Sequence, residues 1–263
     1  MDNPEITKLY KYRGYSSRTL TALSNNELYF ASSNSFNDPF DCRARKEFEF
    51  IDDNDFIEKW AFFEERRNNI SITEAKDYLT KIVSDPVKRD QYIKEQSEHF
   101  QKLVLQSFGI CSFSETNNDI LMWSHYADSH YGLCLEFNRT PINMLQNAQP
   151  TDYPKDDDFP FIDYWLDTPE ELLAEVEKIV LTKSKHWSYE NEWRIIERKP
   201  DNIKNYKGHV VAYPKEILTG VIFGYRMKQK ERNTIKKILS GHSVKYCEAR
   251  PIKNKFLIEI SPL

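Results

Sequence analysis

The chain has 263 residues (31.3 kDa), of which 40% are hydrophobic, 14% aromatic and 30% charged, enough apolar surface to build a substantial core. Its 41 Asp and Glu outnumber its 37 Lys and Arg for a formal charge of −4, so no global basic field draws it onto nucleic acid. The 7 glycines fall in neither the G-x-G-x-x-G nor the G-x-x-x-x-G-K-[ST] register, which excludes Rossmann and P-loop phosphate cradles, and no apolar run approaches the roughly 18 residues of a membrane helix. The opening Met-Asp-Asn-Pro-Glu lacks the basic and apolar regions of a signal peptide, so a cytoplasmic protein without a membrane partner is expected. Cys42, Cys111, Cys134 and Cys247 form no C-x-x-C pair and are expected as free, buried thiols, with no structural zinc.

Partial alternation over Ile6–Tyr12 predicts a strand, Ser17–Leu23 a short helix, and Leu28–Ser32 an aromatic strand. Residues 34–41 (N-S-F-N-D-P-F-D) are dense in turn formers. From Asp52 to about Ser107 the chain is highly charged and apolar at helical spacing. Ser71 with Glu74 spells a capping box and Asp85-Pro86 opens another helix. Two or three helices are expected here, inserted into a strand-rich frame as a lid or partner-binding unit.

Strands return at Phe108–Phe113 and Gly132–Phe137, with Asn117 or Asn118 expected to cap a helix running to about Ala127 between them. Thr151 to Asp163 reads as an acidic, proline-containing loop. Thr168-Pro169 opens a helix with Leu172, Leu173, Val176 and Ile179 or Val180 on one side. Five more strands are predicted at about Glu192–Glu197, His209–Tyr213, Val221–Phe223, Ser243–Cys247 and Phe256–Ile260, with a helix over Lys228–Leu239. No repeat or low-complexity linker divides the chain, so one α+β domain spanning residues 1–263, with the helical insertion at 52–107, is the expected architecture.

Four clusters are richer in functional residue types than a plain structural role requires. In Leu9-Tyr10-Lys11-Tyr12-Arg13, Lys11 and Arg13 share one strand face and Tyr10 and Tyr12 the other, a pattern that also fits a half-exposed edge strand. In Phe36-Asn37-Asp38-Pro39-Phe40-Asp41, two phenyl rings flank carboxylates, an arrangement that costs energy unless the rings are buried and the acids face a cleft. The third cluster brings the same-face hydroxyls of Ser112 and Ser114 together with the helix residues Trp123, His125 and Tyr126. The fourth, Trp187-Ser188-Tyr189-Glu190-Asn191-Glu192-Trp193-Arg194, is read as the start of a strand. Glu190 and Glu192 then point the same way, and their repulsion raises the pKa of one unless Arg194 or another cation intervenes.

In this order the clusters resemble the ADP-ribosyltransferase superfamily, whose split sheet grips NAD with three motif strands carrying an Arg or His, then Ser-Thr-Ser or Tyr, then Glu, often as E-x-E. More closely, the chain looks like the bacterial family named domain of unknown function 2971, on L-Y-K-Y-R (9–13), L-Y-F-A-S-S-N-S-F-N-D-P-F-D (28–41), M-W-S-H-Y-A (122–127), G-L-C-L-E-F (132–137) and K-S-K-H-W-S-Y-E-N-E-W-R-I (183–195). The resemblance implies an α+β fold with a split, mixed or antiparallel sheet and NAD as substrate. Its ADP-ribose would go to water or to a macromolecular acceptor (protein or nucleic acid), in a toxin or phage-defence role. It gives Glu192 the charge that faces an oxocarbenium-like ribose and Glu190 the incoming nucleophile. Lys11 or Arg13 would meet the pyrophosphate or adenosine ribose, Ser112 the nicotinamide ribose or the glutamate, and Tyr126 or Trp123 the nicotinamide ring. Tyr12, Asn37, Asp38, Ser114 and His125 complete the implied cofactor-binding set. Two departures stand out: Phe113 replaces the central Thr, and the first strand offers Lys-Tyr-Arg.

Two other classes compete. A metal-dependent nuclease would use Asp38, Asp41 and Glu136 or Glu192, but the E-x-R at Glu192–Arg194 puts an always-charged guanidinium where a lysine would manage the attacking water. A non-catalytic interaction module would instead use the aromatic clusters as a partner surface. A shared cleft for Ser112, Tyr126 and Glu192, with Ser112 and Glu192 within about 3–6 Å, distinguishes an enzyme from a module whose glutamates lie solvated on an edge strand.

Overall fold

In the computed structural model, which describes residues 1–46, 51–162, 169–199 and 206–263, the N-terminal segment forms β1 (Lys8–Arg13), α1 (Ser17–Asn25) and β2 (Glu27–Ala31). The Ser16 hydroxyl accepts from the Thr19 N–H to start α1, and Asn26 ends it in the left-handed conformation that Asn tolerates. The turn-rich stretch contains a 3-10 turn at Ser33–Ser35 and leads to the two-residue β3 (Arg45–Lys46). Three helices follow: α2 (Asp53–Asn68), α3 (Ile72–Val83) and α4 (Pro86–Ser107). Ser71 and Glu74 make both bonds of the capping box, and Asp85 caps α4 ahead of Pro86. Phe56, Trp60, Ala61, Ala75, Leu79 and Tyr92 form an apolar centre internal to the three helices. Phe100 of α4 instead joins Ile110, Ile162, Val176, Ile179 and Val180, which ties the end of the insertion into the frame.

The remainder runs β4 (Phe108–Ser114), α5 (Ile120–His125), β5 (Leu133–Asn138), β6 (Gln149–Pro150), β7 (Phe161–Ile162), α6 (Pro169–Val180), β8 (Glu192–Arg198), β9 (Gly208–Ala212), β10 (Leu218–Gly224), α7 (Gln229–Ile238), β11 (Lys245–Pro251) and β12 (Ile258–Pro262). α5 is shorter than its sequence suggests. Its cap is Asp119, whose carboxylate accepts from the Met122 N–H at 2.9 Å, and not Asn117 or Asn118. The helix ends because Asp128, Ser129 and His130 all take positive φ in the turn that follows. In α6, Val176, Ile179 and Val180 are buried as their spacing predicts, whereas Leu173 is exposed. Asp163, Thr168 and the side chain of Leu172 lie outside the described residues.

Among the described residues the principal sheet has ten strands, and it is mixed: β10 and β11 pair in parallel and the other pairs are antiparallel. β1 pairs along its whole length with β5, so it is an interior strand and not an edge. β4 pairs along its whole length with β8, from Phe108 opposite Arg198 to Ser114 opposite Glu192. β1 and β4 meet only where Tyr10 faces Ser114, and further along the same edge β4 meets β2 where Ile110 faces Ala31. The sheet is therefore split. One half is β12-β11-β10-β5-β1, the other contains β8, β4, β2 and β9, and a gap opens where β1 and β4 part.

One face of both halves shares a core that includes Leu9, Phe113, Phe137 and Trp193, covered by Leu23 of α1 and Ile235 of α7. On the other face the core is divided. Tyr12, Met122, Trp123, Cys134 and Ile222 pack under α5, and Ile110, Val176 and Ile179 pack under α6. Gly132 fixes the approach of the α5 turn to β1. A Cβ there would lie 2.2 Å from the Arg13 carbonyl oxygen and 2.8 Å from that of Ala127, both backbone atoms that cannot swing aside. Gly132→Ala is expected to lower stability by about 1–3 kcal/mol, read as the shift in urea midpoint, because over-packing must move backbone here. An unchanged midpoint would mean that the two segments separate at no cost.

Candidate active site

The split in the sheet leaves a cleft of about 210 Å3 lined by β1, β4, the start of β8, α5 and the Phe36–Asp41 turn. Each strand presents alternate residues to it. Ser112 and Ser114 share a β4 face with Ile110 while Cys111 and Phe113 enter the opposite core, and on β8 Glu192 and Arg194 take the cleft side while Trp193 and Ile195 turn away. Lys11 and Arg13 belong to the other face of β1 from Tyr10 and Tyr12, yet all four line the cleft because β1 borders the gap. The Lys11 ammonium donates to the Ser112 carbonyl at 2.5 Å and lies 5.0 Å from the centre of the Phe113 ring. Burial pushes its pKa below the ordinary lysine value.

Five buried charges form the floor. Arg194, with 0% of its surface exposed, holds Asp41 through two bonds (2.9 and 2.7 Å) and Glu192 through two more (2.9 Å each), and also donates to the Val180 carbonyl at 2.5 Å. Lys183 donates to Glu190 Oε2 at 2.5 Å and to Glu192 Oε2 at 2.9 Å, with Asp41 at 3.9 Å. The second oxygen of Glu190 accepts the Tyr126 hydroxyl at 2.5 Å. Glu190 and Glu192 are 3% and 5% exposed, so neither is a solvated surface charge. Together Asp41, Glu190 and Glu192 exceed Lys183 and Arg194 by one negative charge when all are ionised.

That excess falls unevenly on the two glutamates. Burial pushes the Glu192 carboxyl up, but Arg194 and Lys183 outweigh it, aided by hydrogen bonds from Arg194 and Ser112, and hold its pKa down at about 2. Glu190 moves the other way. Burial raises its pKa, and with the smaller push from the neighbouring Glu192 it outweighs what Lys183 and the Tyr126 hydrogen bond take away. Burial also opposes the charge on Lys183, yet the two glutamates raise its pKa above the usual lysine value. Under these fields Glu192 is the carboxyl favoured as an anion, and Glu190 is the one whose affinity for a proton is raised.

Glu190 reaches this position differently from the sequence expectation. It is the last residue of a 3-10 turn (Lys185–Glu190), and the strand begins only at Glu192. Asn191 between them has φ 41°, a left-handed geometry that swings both carboxylates onto Lys183 without strand alternation. Ser114 locks the turn: its hydroxyl donates to the Glu190 carbonyl at 2.6 Å and accepts from the Thr116 N–H at 3.1 Å.

Of the residues singled out in the sequence, Lys11, Tyr12, Arg13, Asn37, Ser112, Ser114, Tyr126, Glu190 and Glu192 line the cleft. Three do not. Trp123 is fully buried in the core, its indole N–H donating to the Asn117 carbonyl, and it packs edge-on against Tyr12. His125 is exposed and bonds to the Tyr189 hydroxyl at 3.0 Å. Asp38 accepts from the Phe40 N–H within its own turn. Sequence reasoning gave Lys183 no role, although the block 183–195 begins with it; the need of two close carboxylates for a cation was its other trace. Of the carboxylates of the nuclease alternative, Glu136 bonds to Lys8 and Thr219 outside the cleft and Asp38 accepts within its own turn, while Asp41 and Glu192 lie together but are engaged by Arg194. Among the described residues no group of three or more His, Cys, Asp or Glu is arranged to hold a metal ion, and no helix is long and apolar enough to cross a membrane.

Residues 122–195 match the model of a family described as a protein of unknown function, DUF2971. The matched segment carries Tyr126, Lys183, Glu190, Glu192 and Arg194, and leaves β1, β4 and Asp41 outside it. No curated protein and no solved structure matches the chain.

Proposed function

We propose that the protein is an ADP-ribosyltransferase-like enzyme that cleaves the nicotinamide–ribose bond of NAD and passes ADP-ribose to an acceptor. One observation carries this: β1, β4 and β8 are consecutive neighbours at a split in the sheet, and their Lys/Arg, Ser-x-Ser and Glu positions line one cleft. The three clusters follow one another along the chain in the order in which the superfamily carries its motifs. The charges also suit the substrate. Lys11 and Arg13 on β1 are cations for a diphosphate, and the buried cluster beside β8 carries an excess negative charge for a sugar that becomes cationic.

With a volume below the roughly 300–1,000 Å3 usual for sites that enclose a drug-sized ligand, the cleft suits one end of the dinucleotide, the nicotinamide ribose. Bond cleavage passes through an oxocarbenium-like state, and a preorganised carboxylate stabilises it without reorganising. Glu192 is held ionised by Arg194 and Lys183 and supplies that fixed charge. Ser112 stands beside Glu192 and favours its ionised form.

Calorimetry with NAD, paired with nicotinamide release from the purified protein, is expected to give saturable binding and steady release; neither binding nor release would remove this function. A second possibility, a module that binds NAD without turnover, draws on the fact that both oxygens of Glu192 are already engaged by Arg194 and Lys183. Binding without release would favour it.

A further inference from the structure

Resting on that NAD-cleaving function, we infer that Tyr126 is the group that meets the attacking water or hydroxyl and relays its proton to Glu190. The superfamily resemblance gives the nucleophile to Glu190 directly, but here both carboxylate oxygens of Glu190 already have partners, the Tyr126 hydroxyl on one and the Lys183 ammonium on the other, each at 2.5 Å. Its backbone is fixed too, by the Ser114 hydroxyl on its carbonyl. Tyr126 is half-buried on the cleft wall, at the end of α5. A phenol has one proton and two acceptor positions. The proton points at Glu190, so the acceptor positions of the phenol oxygen are left for a nucleophile in the cleft.

The phenol cannot act alone. Burial and the Glu190 carboxylate push the Tyr126 pKa up, so a free phenolate does not accumulate. The two proton shifts are therefore concerted. The oxygen of the nucleophile bonds to the anomeric carbon of the nicotinamide ribose. The C–N bond breaks and its electron pair goes to the nicotinamide nitrogen, which becomes neutral. The proton of the nucleophile moves to the Tyr126 oxygen, and the phenolic proton of Tyr126 moves to Glu190 Oε1. Glu190 suits this role because burial and Glu192 raise its affinity for a proton, against the opposing Lys183. After product departs, the proton returns through Tyr126 to water.

The test is Tyr126→Phe, which keeps the ring and removes one oxygen. NAD affinity by calorimetry should stay within a few-fold, while nicotinamide release falls about 100-fold or more, the usual worth of positioned acid–base catalysis. A solvent deuterium isotope effect on release, present in the wild type, should vanish in the variant. Glu190→Gln accepts the Tyr126 hydrogen bond but cannot take its proton, and should show the same drop in release. Tyr126→Phe releasing nicotinamide at the wild-type rate overturns the relay and leaves NAD cleavage standing. A wild type that releases none overturns both.

Discussion

Replacing Arg194 with Met is expected to cost about 3–5 kcal/mol of folding stability, because it strands two buried carboxylates at the floor of the cleft. Arg194 is the only side chain that bonds both Asp41 and Glu192 through paired contacts among the described residues, and its planar fork fits each carboxylate from a different edge. Lys183 cannot take over: it lies 3.9 Å from Asp41 and already serves both glutamates. Against a total stability on the order of 5–15 kcal/mol, the loss should appear as a drop of roughly 10 °C in midpoint and a matching shift in urea. Arg194→Lys should recover little of it, since an ammonium offers no fork. Arg194→Met combined with Asp41→Asn should be less destabilised than the sum of the single changes, because the second change neutralises one stranded charge. A midpoint for Arg194→Met within about 1 kcal/mol of wild type would show that the carboxylates find other partners or protons.

The same five-charge cluster marks the limit of what the sequence discloses. Strand alternation is a local property, so the faces of β1, β4 and β8 are legible from K-Y-R, S-F-S and E-W-R, and the capping box at Ser71 and the Asp85-Pro86 start are legible for the same reason. The split in the sheet is not local. It depends on β4 sharing one edge between β1 and β2, a pairing decision made across about a hundred residues. Asp41 and Lys183 reach the cluster through irregular chain, Asp41 beside a left-handed Cys42 and Lys183 just past α6, where no period links residue to face. Trp123 and His125 fail for the opposite reason. Helical spacing places them near Tyr126, but within α5 Trp123 faces the core and His125 faces solvent. The physical need of two close carboxylates for cations was visible in the sequence. Arg194 was within reach of that need, and Lys183 was not.

Glu190→Gln and Glu192→Gln should separate catalysis from stability. Glu192 is held down at about 2, so its charge favours the folded state above the ordinary carboxylate value, and that contribution is lost as pH falls from there through about 2. Glu190 is raised, so its charge costs the folded state stability at neutral pH, and the cost disappears as pH falls through its raised value. Glu192→Gln therefore removes one of the two carboxylate charges that hold Arg194 and should lose stability together with turnover. Glu190→Gln resembles the protonated acid, removes the excess negative charge of the cluster, and should match or exceed the wild type in urea midpoint at pH 7. Wild-type stability should rise between pH 7 and the ordinary carboxylate range before it falls in stronger acid, and Glu190→Gln should lack the rise. Nicotinamide release by Glu190→Gln should nevertheless drop about 10²–10⁴-fold, since the proton sink is gone. Ground-state NAD binding should change little, because the loss is confined to the step in which the proton moves. A stable Glu190→Gln protein with wild-type release would take Glu190 out of the chemistry and leave it a structural partner of Lys183.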